Sequence, residues 1–241
     1  AGADPRDPKA QPDPLVGFRA QAEAPRVPRR VAFSRDFGIT PVDPEVAAVC
    51  EAAARRFEAM GATVEEAHPD FSGAHEAFQT LRAVSYATGL DREYAEHRDL
   101  LKPDVAWNIE KGMGVTGEEV ARATRLRGQI TNNLTKFFQT YDLLLSPATI
   151  VAAFPVETRT LLECDGQKFA TYIDWLAIAF AVTLTSAPAL SLPCGFTRAG
   201  LPVGLQMVAP LRSEGPLLSY AAALEAELGL DLGPIDPRED I

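Results

Sequence analysis

Residues 174–206 read DWLAIAFAVTLTSAPALSLPCGFTRAGLPVGLQ, and this stretch decides the fold. The apolar run Trp175–Val182 heads it, within a buried helix expected over Tyr172–Val182. A crossover through Ala187-Pro188 follows, then two strand-length segments, Ala189–Phe196 and Pro202–Val208, separated by a short polar loop with Gly200. Two apolar runs joined by a few residues containing glycine are a hairpin signal. The whole stretch offers almost no side chain able to do chemistry, so it reads as architecture.

Working outward, Asp142–Ser146 (DLLLS) is a short buried strand closed by Pro147, and Ser213 is positioned to cap a final helix, Glu214–Leu228. That helix places Leu217, Leu218, Ala221, Leu224 and Leu228 on one face. Toward the N-terminus, Arg29–Ser34 (RRVAFS) reads as a strand. Asp43 is an N-cap, with Pro44 at the first helical position. From Pro44 to Met60 the residues Val46, Val49, Cys50, Ala53, Phe57 and Met60 fall on one helical face, Gly61 ends the helix, and Ala62–Ala67 resumes as a strand. Strand, helix, strand with short loops is a βαβ unit. Residues 74–140 read as mostly helical, with Ala74–Tyr94 as one amphipathic run. Thr116 and Glu119 form a capping box ahead of a helix running to Phe138. Residues 1–28 are proline-rich and read as an extended linker, because proline holds φ and excludes its predecessor from the helical region. The expected organisation is this linker followed by a single α/β unit over residues 29–241, a mixed β-sheet flanked by helices.

Composition excludes several classes. The formal net charge of −10 over 241 residues argues against an independent nucleic-acid surface and against adhesion to anionic membranes. No run reaches the roughly 18 apolar residues of a membrane span. Cys50, Cys164 and Cys194 are odd in number and widely spaced, which gives neither a disulfide framework nor a metal pair and points to a reducing, cytoplasmic setting. The chain begins at Ala1 without an initiator Met and reads like the middle of a longer protein.

The search for chemistry is mostly negative. His68, His75 and His97 have no partner at metal-ligand spacing, and no GxSxG elbow, P-loop or GxGxxG is present, so neither a metal nor a cofactor is expected. Cys194 follows an apolar strand and reads as an inert buried thiol rather than a nucleophile. Asp174 is a lone carboxylate heading an apolar helix, either a first-turn residue favoured by the helix dipole or a polar pocket group. Trp107, Tyr172 and Trp175 are aromatics suited to a pocket wall or to the core.

The stretch from Asp174 through Pro210 resembles the C-terminal block of the amidase signature family. There an Asp-Trp is followed by Asn-Leu-Thr-Gly, Pro-Ala, Pro-Cys-Gly-Phe and Gly-Leu-Pro-Val-Gly-Leu-Gln. AGADPRDP, the βαβ unit over residues 29–70 and YDLLLSPAT are similar to further segments of the family in the same order. The resemblance implies the C-terminal part of an amidase-signature-like domain acting on a small-molecule amide. Such enzymes cleave the carbon–nitrogen bond with a serine nucleophile, a second serine in cis linkage and a lysine base, all upstream of the matched region. No catalytic residue is therefore carried onto this chain, and the expected partner is the N-terminal half of the same enzyme. Loss of a nucleophile–base unit costs on the order of 10⁶ in rate, so this chain alone is expected to be inactive. Candidate wall residues of the substrate pocket are Trp107, Thr149 and Asp174.

Two departures from the family pattern stand out: Thr183 replaces its Asn and Ser186 its Gly, the latter tolerable only where the backbone does not require positive φ. Around Val105–Ile109 the sequence lacks the basic pattern of glutamine-using members, which weakens a glutamine-dependent tRNA amidotransferase reading. That reading and a non-catalytic scaffold that kept the fold are the alternatives. Pairing of two copies is a further expectation.

Overall fold

The computed structural model of the chain describes residues 2, 4–7, 10, 14–230 and 233. Parts of the proline-rich stretch and of AGADPRDP, together with most of 231–241, lie outside the described residues. Within the stretch read as extended, Phe18–Ala22 forms a one-turn helix, α1. It falls between Pro14 and Pro25, where no proline forbids helical geometry, and it packs on the last helix of the chain.

The βαβ unit forms as the pattern requires. Strand β1 (Arg30–Phe33) and helix α2 (Pro44–Ala59) lead into β2 (Thr63–Glu66), which pairs parallel to β1. Asp43 caps α2, accepting the amides of Glu45 and Val46 at 2.8 and 3.1 Å. Gly61 follows the helix at φ +94, a conformation open to glycine at no steric cost. Four helices follow: α3 (Ala74–Gly89), α4 (Asp91–His97), α5 (Pro103–Met113) and α6 (Gly117–Phe137). The run expected to be continuous from Ala74 to Tyr94 breaks at Gly89-Leu90, where Leu90 leaves helical geometry at φ −130 and ψ 23. The apolar periodicity passes through this point unbroken, so the break depends on glycine and on the packing of α4. The capping box at Thr116 and Glu119 is fully formed, Glu119 accepting the Thr116 amide at 2.7 Å.

Strand β3 (Leu143–Pro147) pairs parallel to β1 on the side opposite β2. A two-residue ladder, β4 (Glu163–Cys164) and β5 (Gln167–Lys168), stands apart from the main sheet. The apolar stretch 172–182 is shorter as a helix than its hydrophobicity implies: Asp174–Leu176 is a 3₁₀ turn, and α7 spans Ala177–Thr183. Strands β6 (Ala189–Phe196) and β7 (Pro202–Val208) form the expected antiparallel hairpin, with Gly200 at φ +78 in its turn. Helix α8 (Glu214–Leu228) closes the described chain. Ser213 precedes α8 but its side chain makes no capping hydrogen bond. The main sheet is mixed, in the order β2-β1-β3-β7-β6, with β3 antiparallel to β7. Helices α2 and α8 pack against β6 and β7. Helix α7 meets the sheet at Ile178, whose carbonyl accepts a hydrogen bond from the buried Gln206 at 3.2 Å. Leu143, Leu144 and Leu145 are fully buried at the centre.

Ser186 stands at φ +58, so this backbone position does require the left-handed region. The condition under which serine would replace the family's glycine without strain is not met. Arg127 of α6 braces the turn, donating from Nε to the Leu184 carbonyl at 3.0 Å and from Nη2 to Ser186 Oγ at 3.3 Å.

Candidate functional site

The polar groups of the chain converge where α3, α5 and the 171–174 turn meet. Asp174 is almost completely buried (8% exposed), an expensive place for a carboxylate unless hydrogen bonds compensate its lost hydration. Its Oδ2 accepts the Thr171 amide at 2.8 Å, and its Oδ1 accepts Gln79 Nε2 at 2.8 Å. His75 brings Nδ1 to within 3.7 Å of the same Oδ1 while its Nε2 lies 3.1 Å from the Ile39 carbonyl. Gln79 Oε1 in turn accepts Lys111 Nζ at 2.7 Å, and the same ammonium lies over the Trp107 ring, 5.0 Å from its centroid. The result is one continuous belt, Trp107–Lys111–Gln79–Asp174–His75, drawn from three elements.

A cavity of about 420 Å³ opens on this belt. His75, Gln79 and Asp174 form one wall, Ile39, Thr40 and Pro41 a second, and Gln167–Ala170 a third. Its lining contains hydrogen-bonding and charged groups but no serine or cysteine. Such a cavity can hold and orient a polar substituent. Behind it, Tyr172 stacks edge-on against Trp107, and its hydroxyl accepts hydrogen bonds from Asn108 Nδ2 and Arg82 Nη2.

Of the three residues expected on a pocket wall, Asp174 lines the cavity. Trp107 lies outside it, joined through Lys111 and Gln79, and is 36% exposed. Thr149 lies just beyond β3, outside the cavity, with its hydroxyl donating to the Val151 carbonyl at 2.8 Å. Sequence reasoning missed His75, Gln79 and Lys111. The signal was present: His75 and Gln79 are four residues apart on α3, as are Trp107 and Lys111 on α5, so each pair shares a helix face. Lys111 also supplies the basic charge that Val105–Ile109 lacks, one turn further along.

Cys194 is buried beside Cys50, with sulfurs 3.9 Å apart. The hydrogen bond shared between the two thiols and their burial hold Cys50 protonated. Among the described residues no group of three or more His, Cys, Asp or Glu side chains is placed to hold a metal ion. No helix among them is long and apolar enough to cross a membrane.

An open mixed sheet flanked by helices, with a polar cavity walled by helix faces and loops, defines an α/β domain. The chain is 32% identical over 200 residues to an acylamidase of Rhodococcus erythropolis, an alignment covering 82% of this chain and 42% of the relative. It is 29% identical over 251 residues to a subunit of the glutamyl-tRNA(Gln) amidotransferase of Streptococcus pyogenes serotype M12 (strain MGAS2096), covering 94% of this chain and 50% of the relative. Among solved structures, a bacterial aryl acylamidase superposes with a TM-score of 0.83 at 20% identity, over 94% of this chain and 49% of the other. A 6-aminohexanoate cyclic dimer hydrolase gives 0.80 at 23% identity, over 95% and 51%. The Amidase family matches residues 1–218, and the chain belongs to it. It spans about half the length of the relatives it matches.

Proposed function

We propose that this chain is the C-terminal part of an amidase-signature hydrolase that cleaves carbon–nitrogen bonds of a small-molecule amide. Its Ser-cisSer-Lys site lies in an N-terminal half outside these residues. One observation carries the reading: the chain matches the amidase family almost end to end while aligning with only about half of each relative. In this reading the Asp174 cavity binds the substrate and the other half cleaves it, so the chain alone has no amidase activity. The three cysteines are buried and unpaired, in keeping with a cytoplasmic setting.

The test is hydrolysis of an aryl amide by the complete polypeptide encoded by the gene and by this chain alone. The complete polypeptide turns over and this chain does not; turnover by this chain alone refutes the proposal. In the active polypeptide, Asp174→Asn removes the buried charge at near-constant volume. It raises KM by about ten-fold or more, the equivalent of one charge-assisted hydrogen bond. An unchanged KM excludes the cavity from the substrate site.

The amidotransferase relatives support a second reading, a glutamine-dependent tRNA amidotransferase, and Lys111 gives it the cation at the cavity belt that Val105–Ile109 does not. Glutaminase activity of the complete polypeptide in place of aryl amide hydrolysis decides for it.

A further inference from the structure

Helix α2 and strand β6 meet through two cysteines. Cys50 on α2 and Cys194 on β6 are 144 positions apart in sequence, and their sulfurs are 3.9 Å apart. Three features of the fold bring them together. The β6–β7 register slips between Pro193 and Gly195, so Cys194 is the extra residue of a β-bulge, a device that re-aims a side chain. A Cβ on the neighbouring Gly195 would stand 2.9 Å from Val49 Cγ1, so the absence of a side chain there lets α2 sit directly on the bulge. Both thiols are also anchored to β7: Cys50 Sγ lies 3.6 Å from the Gly204 carbonyl and Cys194 Sγ 3.4 Å from the Val203 carbonyl. Cys50 has no exposed surface and Cys194 is 5% exposed. Cys164 keeps apart from the pair, its sulfur 3.9 Å from the Ile150 carbonyl.

We propose that Cys50 and Cys194 form a modification site, a dithiol that a small hydroperoxide converts to an intrachain disulfide tying α2 to β6. Taken alone, Cys194 is a buried inert thiol; beside Cys50 it is half of an oxidisable pair. A disulfide holds its sulfurs at about 2.05 Å, so the pair closes by about 1.9 Å. Rotation of the two side chains between staggered positions supplies that movement. Burial limits the reaction to an oxidant as small as hydrogen peroxide. The hydrogen bond from Cys50 holds the Cys194 thiol below its ordinary range, and the same bond together with burial pushes Cys50 up. This divides the roles. The Cys194 thiolate attacks one oxygen of hydrogen peroxide and the O–O bond breaks. The departing hydroxide takes up the proton that Cys194 released, giving water and leaving Cys194 as a sulfenic acid. The Cys50 sulfur then attacks the Cys194 sulfur, the S–O bond breaks, and the Cys50 proton leaves with the oxygen as a second water. Two thiols and one peroxide give one disulfide and two waters, with two electrons passing from sulfur to oxygen. The site does not depend on the amidase reading.

The test exposes this chain, and the complete polypeptide encoded by the gene, to hydrogen peroxide under native conditions and maps linked peptides by mass spectrometry. In both, the peptides carrying Cys50 and Cys194 are joined with the loss of two hydrogens. In this chain the thiols counted by DTNB in urea fall from three to one, and dithiothreitol restores all three. The oxidised chain melts about 5 °C or more above the reduced chain, because the cross-link removes loop entropy from the unfolded state. Cys50→Ala forms no link and leaves a sulfenic acid at Cys194 that dimedone traps, whereas Cys164→Ala links as the parent does. A sulfinic acid at either cysteine without the link, a link through Cys164 or between two chains, three thiols surviving peroxide, no link in the complete polypeptide, or a lowered melting temperature each overturn the proposal. The peptide map of the parent decides without any variant, so a Cys50→Ala protein that fails to fold does not rescue it.

Discussion

Helices α3 and α5 are packed so closely that one hydrogen atom decides their spacing. A Cβ on Gly112 would stand 2.0 Å from the Ala83 carbonyl oxygen, 2.6 Å from its carbon and 2.8 Å from Ala87 Cβ. Carbon–oxygen contacts settle near roughly 3.3 Å, so Gly112→Ala forces the two helices apart by more than about 1 Å. In an unobstructed helix the same change stabilises by about 1 kcal/mol, because glycine loses more backbone entropy on folding. Here overpacking opposes it with about 1–3 kcal/mol or more. The Lys111–Gln79 hydrogen bond, one residue away on the same helix, is strained at the same time. We expect a net loss of about 2 kcal/mol, a fall in Tm of roughly 4–8 °C for a chain of this size. Gly128 in the interior of α6 is the control: its added Cβ meets nothing within 4 Å. Gly128→Ala therefore gains about 0.5–1 kcal/mol, or roughly 1–4 °C. Urea and thermal unfolding followed by circular dichroism read both variants. A Gly112→Ala protein as stable as its parent, or shifts of the same sign in both variants, refutes the packing argument.

At Ser186 the left-handed backbone makes Ser186→Gly more stable than Ser186→Ala by about 1 kcal/mol, since both lose the hydroxyl and only alanine keeps the strain; the reverse order in urea melts refutes the assignment. All three cysteines are buried, so a thiol reagent such as DTNB titrates none of them quickly in the native chain and all three in urea; fast native labelling contradicts the burial. Glu119 has its carboxyl held below the usual range by the Thr116 amide and hydroxyl, so its stabilising effect is complete above the unfolded carboxylate range, near about 4.3, and disappears as pH falls through its folded value. The stability difference between the parent and Glu119→Gln accordingly shrinks from pH 6 to pH 3, and a constant difference counts against the capping box.

Local signals recovered most elements because each depends on neighbours in sequence. Asp43 and Pro44 start α2, Gly61 ends it, and Thr116 with Glu119 starts α6, all through backbone groups within four residues. Local rules erred at two points. The α3–α4 break at Leu90 lies inside an unbroken apolar period. The hydroxyl of Ser213 has the right position for a cap and does not use it. The site was half legible: Asp174 is conspicuous as a carboxylate in an apolar setting, but its meeting with Gln79 joins residues 95 positions apart.

The sequence by itself determined the α/β class, the βαβ unit, the hairpin and the likeness to amidases, because hydrophobic period, caps and turns are written within a few residues. The tertiary structure decided which faces meet. It brought His75, Gln79 and Lys111 to Asp174, set α3 against α5 at Gly112, put Ser186 in the left-handed region and set Cys50 beside Cys194. A buried carboxylate, a helix spacing and a thiol pair take their energies from partners across space, and no short window of sequence contains both members of such a pair.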